Sequence, residues 1–139
     1  MMATEIERKF RVINDSYRGM VHSQVRIVQG YLSTQKEATV RVRLVESDGV
    51  ERGYITVKGV NRGAVRGEWE YEIPAADAHQ LLELSQSRII DKTRYRVPYA
   101  GMMWEVDEFG GDHAGLVLAE VELPTTDTAV ELPPFVVMR

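Results

Sequence analysis

Polar and apolar residues alternate along most of this chain, in short segments broken by Gly, Pro, Asn and Asp clusters. Such a period of two is the mark of half-buried strands. The pattern predicts strands near 4–13, 24–33, 38–46, 53–59, 66–73, 88–97, 102–109 and 116–123. Only one stretch is helical in period. Pro74 opens it and it runs to about Gln86, with Ala78, Leu81 and Leu82 forming an apolar stripe that can lie on the outside of a sheet. Residues 14–23 read as a loop or a short capped turn, with Asp15 and Ser16 as candidate caps. Ser47-Asp48-Gly49 reads as a hairpin turn, and Gly110-Gly111-Asp112 as a further connector. Eight short strands with brief connections and no repeats indicate a sandwich or a barrel in a single domain.

The alternate positions are occupied in an unusual way. Successive side chains of a strand point to opposite faces. In the first strand Glu5, Glu7, Lys9 and Arg11 share one face, against Ile6, Phe10 and Val12, with Arg8 the exception among them. The third aligns Thr39, Arg41 and Arg43, the fourth Thr56 and Lys58, and the fifth Arg66, Glu68, Glu70 and Glu72. The sixth aligns Lys92, Arg94 and Arg96, the seventh Glu105 and Asp107, and the eighth Glu120 and Glu122. Each stripe alone could be the solvated side of a one-sided sheet. As a set they are nearly pure in charge and segregated by strand, with bases on the third and sixth and acids on the seventh and eighth. Neighbouring like charges on one face repel. Cations and a polyanion together would compensate both sets.

If the sheet closes with these faces inward, a dry lumen of bare charges would be prohibitively costly, and a wet one holding metal and substrate avoids that cost. Carboxylates are the hard oxygen ligands that Mg²⁺ and Mn²⁺ prefer, and Arg and Lys are natural phosphate ligands. The pattern therefore suggests a metal–polyphosphate site. Composition removes other classes. The chain has 17 Lys plus Arg against 21 Asp plus Glu, a net charge of −4, which argues against a nucleic-acid-coating protein. It has no cysteine, hence no disulfide and no thiolate chemistry. No apolar run approaches the roughly 20 residues of a membrane helix, and no signal-peptide pattern opens the chain, so a cytoplasmic protein is expected. His22, His79 and His113 lack metal-ligand spacing and read as surface or loop residues. The glycines between Gly59 and Gly67 lack the ending of a P-loop and read as a hairpin connection.

Glu5-Ile6-Glu7-Arg8-Lys9-Phe10 resembles the ExExK signature that opens the CYTH superfamily, the triphosphate tunnel metalloenzymes. The likeness continues in order through Gln29-Gly30-Tyr31-Leu32, Arg41-Val42-Arg43, Thr56-Val57-Lys58 and Glu70-Tyr71-Glu72-Ile73. It goes on through Lys92-Thr93-Arg94-Tyr95, Glu105-Val106-Asp107 and Glu120-Val121-Glu122. The chain looks most like the small bacterial inorganic triphosphatases. The resemblance implies a mainly β fold, an eight-stranded antiparallel closed barrel forming a charged tunnel, with one or two outer helices. It implies one tunnel domain over 1–139 that stops short of the family's C-terminal tail.

The same resemblance implies Mg²⁺ or Mn²⁺ as cofactor, held first by Glu5, Glu7 and Glu122, with Glu120 and Asp107 close by. Lys9, Arg41, Arg43, Lys58, Lys92 and Arg94 would hold the phosphates. Of these, Lys9, Arg43, Lys92 and Arg94 are the expected catalytic set, and Glu105 is a supporting residue. Glu70 and Glu72 would either complete a second metal site or orient the bases. The implied reaction is hydrolysis of a terminal phosphoanhydride, best of inorganic triphosphate. Thiamine triphosphatase, class IV adenylyl cyclase and a non-catalytic polyphosphate- or nucleotide-binding module are the alternatives. A barrel for an apolar ligand is disfavoured by the charged stripes.

Overall fold

In a computed structural model the described residues are 2–63 and 65–137, with residues 2–5 described by their backbone alone. The strands are β1 (Met2–Val12), β2 (Ser23–Ser33), β3 (Thr39–Ser47), β4 (Val50–Lys58), β5 (Val65–Ile73), β6 (Ile90–Tyr99), β7 (Met102–Phe109), β8 (Val117–Glu122) and the short β9 (Val136–Val137). They form one antiparallel sheet in the order β5-β4-β3-β2-β6-β7-β8-β1-β9. The sheet closes through β1. Its first half pairs with β5, from Met2 opposite Trp69 to Ile6 opposite Val65. Its second half pairs with β8, from Glu7 opposite Glu122 to Arg11 opposite Leu118. Sharing one strand between two partners in this staggered way is how a twisted sheet closes into a barrel. The eight expected strands are all present, and the ninth adds Val136 and Val137 beside Val12 and Arg11.

Local departures from the sequence reading have physical causes. β4 begins at Val50 because the turn is only Asp48 and Gly49, both at positive φ (52° and 79°), the two-residue geometry that keeps strands paired up to Ser47 and Val50. The helix α1 spans Ala75–Leu82 and stops short of Gln86. Beyond it, the Gln86 N–H donates to the Tyr31 carbonyl at 2.8 Å, which draws the chain out of the helical path and onto β2. At 14–23 the chain forms a 3₁₀ turn, Ser16–Met20. Asp15 occupies the cap position without a side-chain cap bond, and Asn14 Oδ1 instead accepts the Ser16 N–H at 2.9 Å.

The barrel carries two cores on its outer surface. One packs Phe10, Val97, Trp104, Val106, Ala119 and Val121 from the outer faces of β1, β6, β7 and β8 beneath Tyr17, Leu123, Phe135 and Val136. The other packs Val42 and Leu44 beneath Ala78 of α1. Gly53 permits that approach, since a Cβ there would lie 2.8 Å from the Ala78 Cβ. Helix and loops thus cover much of the outer face. Trp104 sits under the C-terminal segment and not under α1, at 6.3 Å from the Phe135 ring. Trp69 and Tyr71 point outward on β5 and remain exposed, because α1 packs mainly against β2, β3 and β4. No helix among the described residues is long and apolar enough to cross a membrane.

Candidate functional site

The inward faces enclose a cavity of about 460 Å³. Its basic lining is Lys9, Arg41, Arg43, Lys58, Arg66, Lys92, Arg94 and Arg96. Its acidic lining is Glu7, Glu68, Glu70, Glu105, Glu120 and Glu122, and Gln29 and Tyr31 complete the wall. Strand alternation and register put them there. Arg43 lies opposite Gln29, Arg41 opposite Tyr31 and Thr56, Arg94 opposite Asp107, and Glu120 between Lys9 and Glu105. The lining is not charged throughout. At and beyond the level of Lys92 the inward positions include the apolar Ile27, Val45, Phe109 and Leu118 beside Arg52 and Arg11, with Ile27 buried and the Lys92 ammonium 5.4 Å from the Phe109 ring centre.

The basic groups fall into two kinds by their partners. Arg94 donates two bonds to Asp107, at 2.8 and 3.0 Å, and a third to Glu120 at 3.2 Å, with Glu105 at 3.5 Å. Lys92 lies 2.7 Å from Asp107. Burial alone would lower the Arg94 pKa, but the bonds and charge of Asp107, Glu105 and Glu120 raise it above the usual value. Burial lowers the Lys92 pKa despite Asp107, helped by the nearby Arg94 and Arg43. For Asp107, burial favours the neutral acid, yet Arg94 and Lys92 outweigh it and hold the carboxyl below its usual range.

Arg41 and Arg43 are different. The Arg43 Nε–H donates to Gln29 Oε1 at 2.8 Å, and Arg41 Nη2 donates to the Thr56 hydroxyl at 3.4 Å. Thr56 in turn donates to Glu70 at 3.2 Å. Arg41 Nε is buried with no hydrogen-bond partner among the described residues. A buried donor left in that way is costly unless something outside the chain accepts from it. Burial, with repulsion from Arg41 and Arg94, pushes the Arg43 pKa down to about 9, against the weaker pull of Asp107 and Glu70. Among the described residues the side-chain hydrogen-bond acceptors of this pair of cations are neutral, which suits the pair to an anion.

The carboxylates expected to hold metal are spread along β1, β7 and β8. Glu7 faces Glu122 across the β1–β8 ladder, and Glu105 faces Glu120 across β7–β8. The Glu5 side chain lies outside the described residues. Among the described residues no three His, Asp or Glu side chains already converge as a metal cluster. The donor chemistry nonetheless fits a hard divalent cation, because carboxylate oxygens are the ligands such an ion prefers and this wall carries several of them. Asp107 stands apart from this wall. It is 5% exposed and its oxygens are engaged by Arg94 and Lys92. Glu72 does not line the cavity and instead meets Arg52 at 3.3 Å near the end of its strand, where both are exposed, while Glu70 reaches the bases through Thr56. His79 pairs with Glu51 at the surface.

Arg66, Glu68 and Arg96 also line the cavity; they belong to charged stripes visible in the sequence to which no role attached. Gln29 and Tyr31 were harder to find, because the same face of β2 carries the apolar Val25 and Ile27 and shows no charge stripe. The signal available was their phase, inward by alternation.

Replacing Asp107 by Ala leaves Lys92 and Arg94 buried without their shared carboxylate, and is expected to destabilise the fold by about 3–5 kcal/mol in urea titrations. The sign with pH follows from its lowered pKa. Its stabilisation is present above the unfolded carboxylate pKa of about 3.9 and is lost as pH falls through the lower folded value. In metal-free buffer the Asp107→Asn protein should lack that portion of the acid loss.

A closed antiparallel barrel with an acidic wall and arginines inside is an architecture whose lumen suits a small polyanion. The chain belongs to the CYTH domain family, whose pattern matches residues 3–137. It is 42% identical over 136 residues to the inorganic triphosphatase of Acetivibrio thermocellus, covering 97% of this chain and 84% of that protein. It is 35% identical over 133 residues to the inorganic triphosphatase of Nitrosomonas europaea, covering 94% and 83%. A crystal structure of an inorganic triphosphatase superposes with a TM-score of 0.64 at 31% identity, covering 96% of this chain and 84% of that one.

Proposed function

We propose that this protein is a metal-dependent triphosphatase that hydrolyses the terminal phosphoanhydride of inorganic triphosphate inside its barrel. The observation that carries the reading is the Arg41–Arg43 pair, buried in the lumen with Thr56 and Gln29 as hydrogen-bond acceptors. The triphosphatases at 42% and 35% identity support the same substrate.

In this reading Arg41 and Arg43 grip the phosphate chain, Arg through its planar fork. Lys92 and Arg94, fixed by Asp107, present charge to the phosphoryl oxygens on which negative charge grows during transfer. Lys9 and Lys58 line the same cavity and add contacts to the chain's other oxygens. Because the guanidiniums are already oriented, little reorganisation is needed when the reaction occurs. Glu7, Glu120 and Glu122, with Glu5, would hold Mg²⁺ or Mn²⁺, and Glu105 would support them. Bound there, the cation would neutralise phosphate charge and lower the pKa of the attacking water. Phosphate release from inorganic triphosphate, ATP and thiamine triphosphate, with and without divalent cation, tests the assignment. Inorganic triphosphate is expected to give the highest kcat/KM, and a clear preference for either of the others overturns it.

Ligand binding should also be visible in stability. A ligand that binds only the folded state at a hundred times its Kd adds about 2.7 kcal/mol, or roughly 10 °C in Tm for a chain of this length. A non-hydrolysable triphosphate with Mg²⁺ should produce a shift of that order, and Mg²⁺ alone a smaller one. An unmoved midpoint at saturation would show that the lumen does not take the polyanion.

A further inference from the structure

The arginines of the lumen are held in two ways, and the difference falls at one uncharged side chain. Arg94 is tied to Asp107 and Glu120, so its charge is largely cancelled within the protein. Arg43 is tied by its Nε–H to Gln29 Oε1 at 2.8 Å. Gln29 is 5% exposed, sits on the cavity wall and lies on β2 between Arg43 of β3 and Ile90 of β6. Since Arg Nε–H can only donate, the amide oxygen must face it, and the amide NH₂ is left as a further neutral donor on the wall.

A carboxylate at this position would have the same size and reach, and would make a stronger, charge-assisted bond to Arg43. It would also offset the repulsion among Arg43, Arg41 and Arg94. The empty protein would gain from it. The chain has glutamine there, which orients the guanidinium and leaves its charge uncancelled. We propose that Gln29 is a positioning residue that aims Arg43 at the bound phosphate chain while keeping its full positive charge, at a cost to the stability of the empty barrel. The proposal rests on the assignment of inorganic triphosphate as substrate.

The test compares Gln29→Glu with Gln29→Met, both close to glutamine in volume. In Gln29→Glu the bond to Arg43 is kept and its charge is cancelled. KM for inorganic triphosphate should rise about tenfold or more, the weight of one charge-assisted contact, while the ligand-free protein melts higher than wild type. In Gln29→Met the charge is kept and the acceptor is lost. KM should rise less than for Gln29→Glu, and the Tm should fall. A structural role alone would move Tm in both variants and leave KM in place. Equal KM values for wild type and Gln29→Glu overturn the proposal, as does a Gln29→Met protein whose KM rises as far as that of Gln29→Glu. A Gln29→Glu protein that melts lower or fails to fold also overturns it, because relief of arginine repulsion is part of the claim. If wild-type protein releases no phosphate from inorganic triphosphate, the functional assignment falls separately. Calorimetric titration of inorganic triphosphate into the three proteins then decides the role of Gln29.

Discussion

In excess chelator, phosphate release from inorganic triphosphate is expected to fall to background, and added Mg²⁺ or Mn²⁺ to restore it. Glu7 and Glu122 are direct partners in the β1–β8 ladder, and Glu105 and Glu120 in the β7–β8 ladder, so carboxylates face carboxylates as immediate cross-strand neighbours. Arg94 reaches Glu120 and Glu105, but it is already engaged by Asp107. A triphosphate entering beside that wall would add negative charge to it, which is unfavourable without a cation between them. Glu7→Gln removes ligand charge while keeping volume, and should lower turnover steeply with the fold intact. Calorimetry with Mn²⁺ gives a readout independent of turnover, with weaker binding expected in the variant. Full activity in chelator would show that the arginines and lysines alone carry the reaction.

Much of this site was legible because strand alternation is a simple code. Once Arg41 and Arg43, Lys92 and Arg94, and Glu120 and Glu122 are seen as same-face pairs, closing the sheet brings them together, and the barrel does so. What alternation could not supply was partnership across the lumen. Asp107 shares a face with Glu105 and carries the same charge, so in sequence the two look alike. Only in the fold does one oxygen meet Arg94 and the other Lys92 and Arg94, leaving Asp107 as a buried anchor for bases. Glu72 likewise continues the stripe of Glu68 and Glu70, but it lies where β5 nears α1 and meets Arg52 outside the cavity. The apolar part of the lining was hidden for a related reason. Ile27, Val45, Phe109 and Leu118 belong to four different strands, each looking like ordinary core until the register sets them on the inner wall. Gln29 was named only within the Gln29-Gly30-Tyr31-Leu32 likeness and drew no role of its own, because a neutral side chain stands out on no charged stripe.

Arg43→Ala is expected to lower kcat/KM for inorganic triphosphate by about 10²–10³, the usual loss when one preorganised donor to developing charge is removed. The size follows from how little cancels Arg43 in the empty protein. Its Nε–H bond goes to a neutral amide, and burial together with Arg41 and Arg94 depresses its pKa to about 9. Such a cation gains more from an arriving anion than Arg94, which Asp107 already satisfies. The same reasoning fixes the sign on stability. Removing Arg43 relieves repulsion with Arg41 and Arg94, so the ligand-free variant should melt no lower than wild type even as activity collapses. Arg43→Lys restores charge without the planar fork or the Nε–H that meets Gln29, and should recover only part of the loss. Steady-state kinetics on the three proteins, with melting curves in the absence of ligand, check both halves. A folded Arg43→Ala protein with wild-type kcat/KM would mean that the phosphate chain lies elsewhere in the lumen, nearer Lys9 and Lys58.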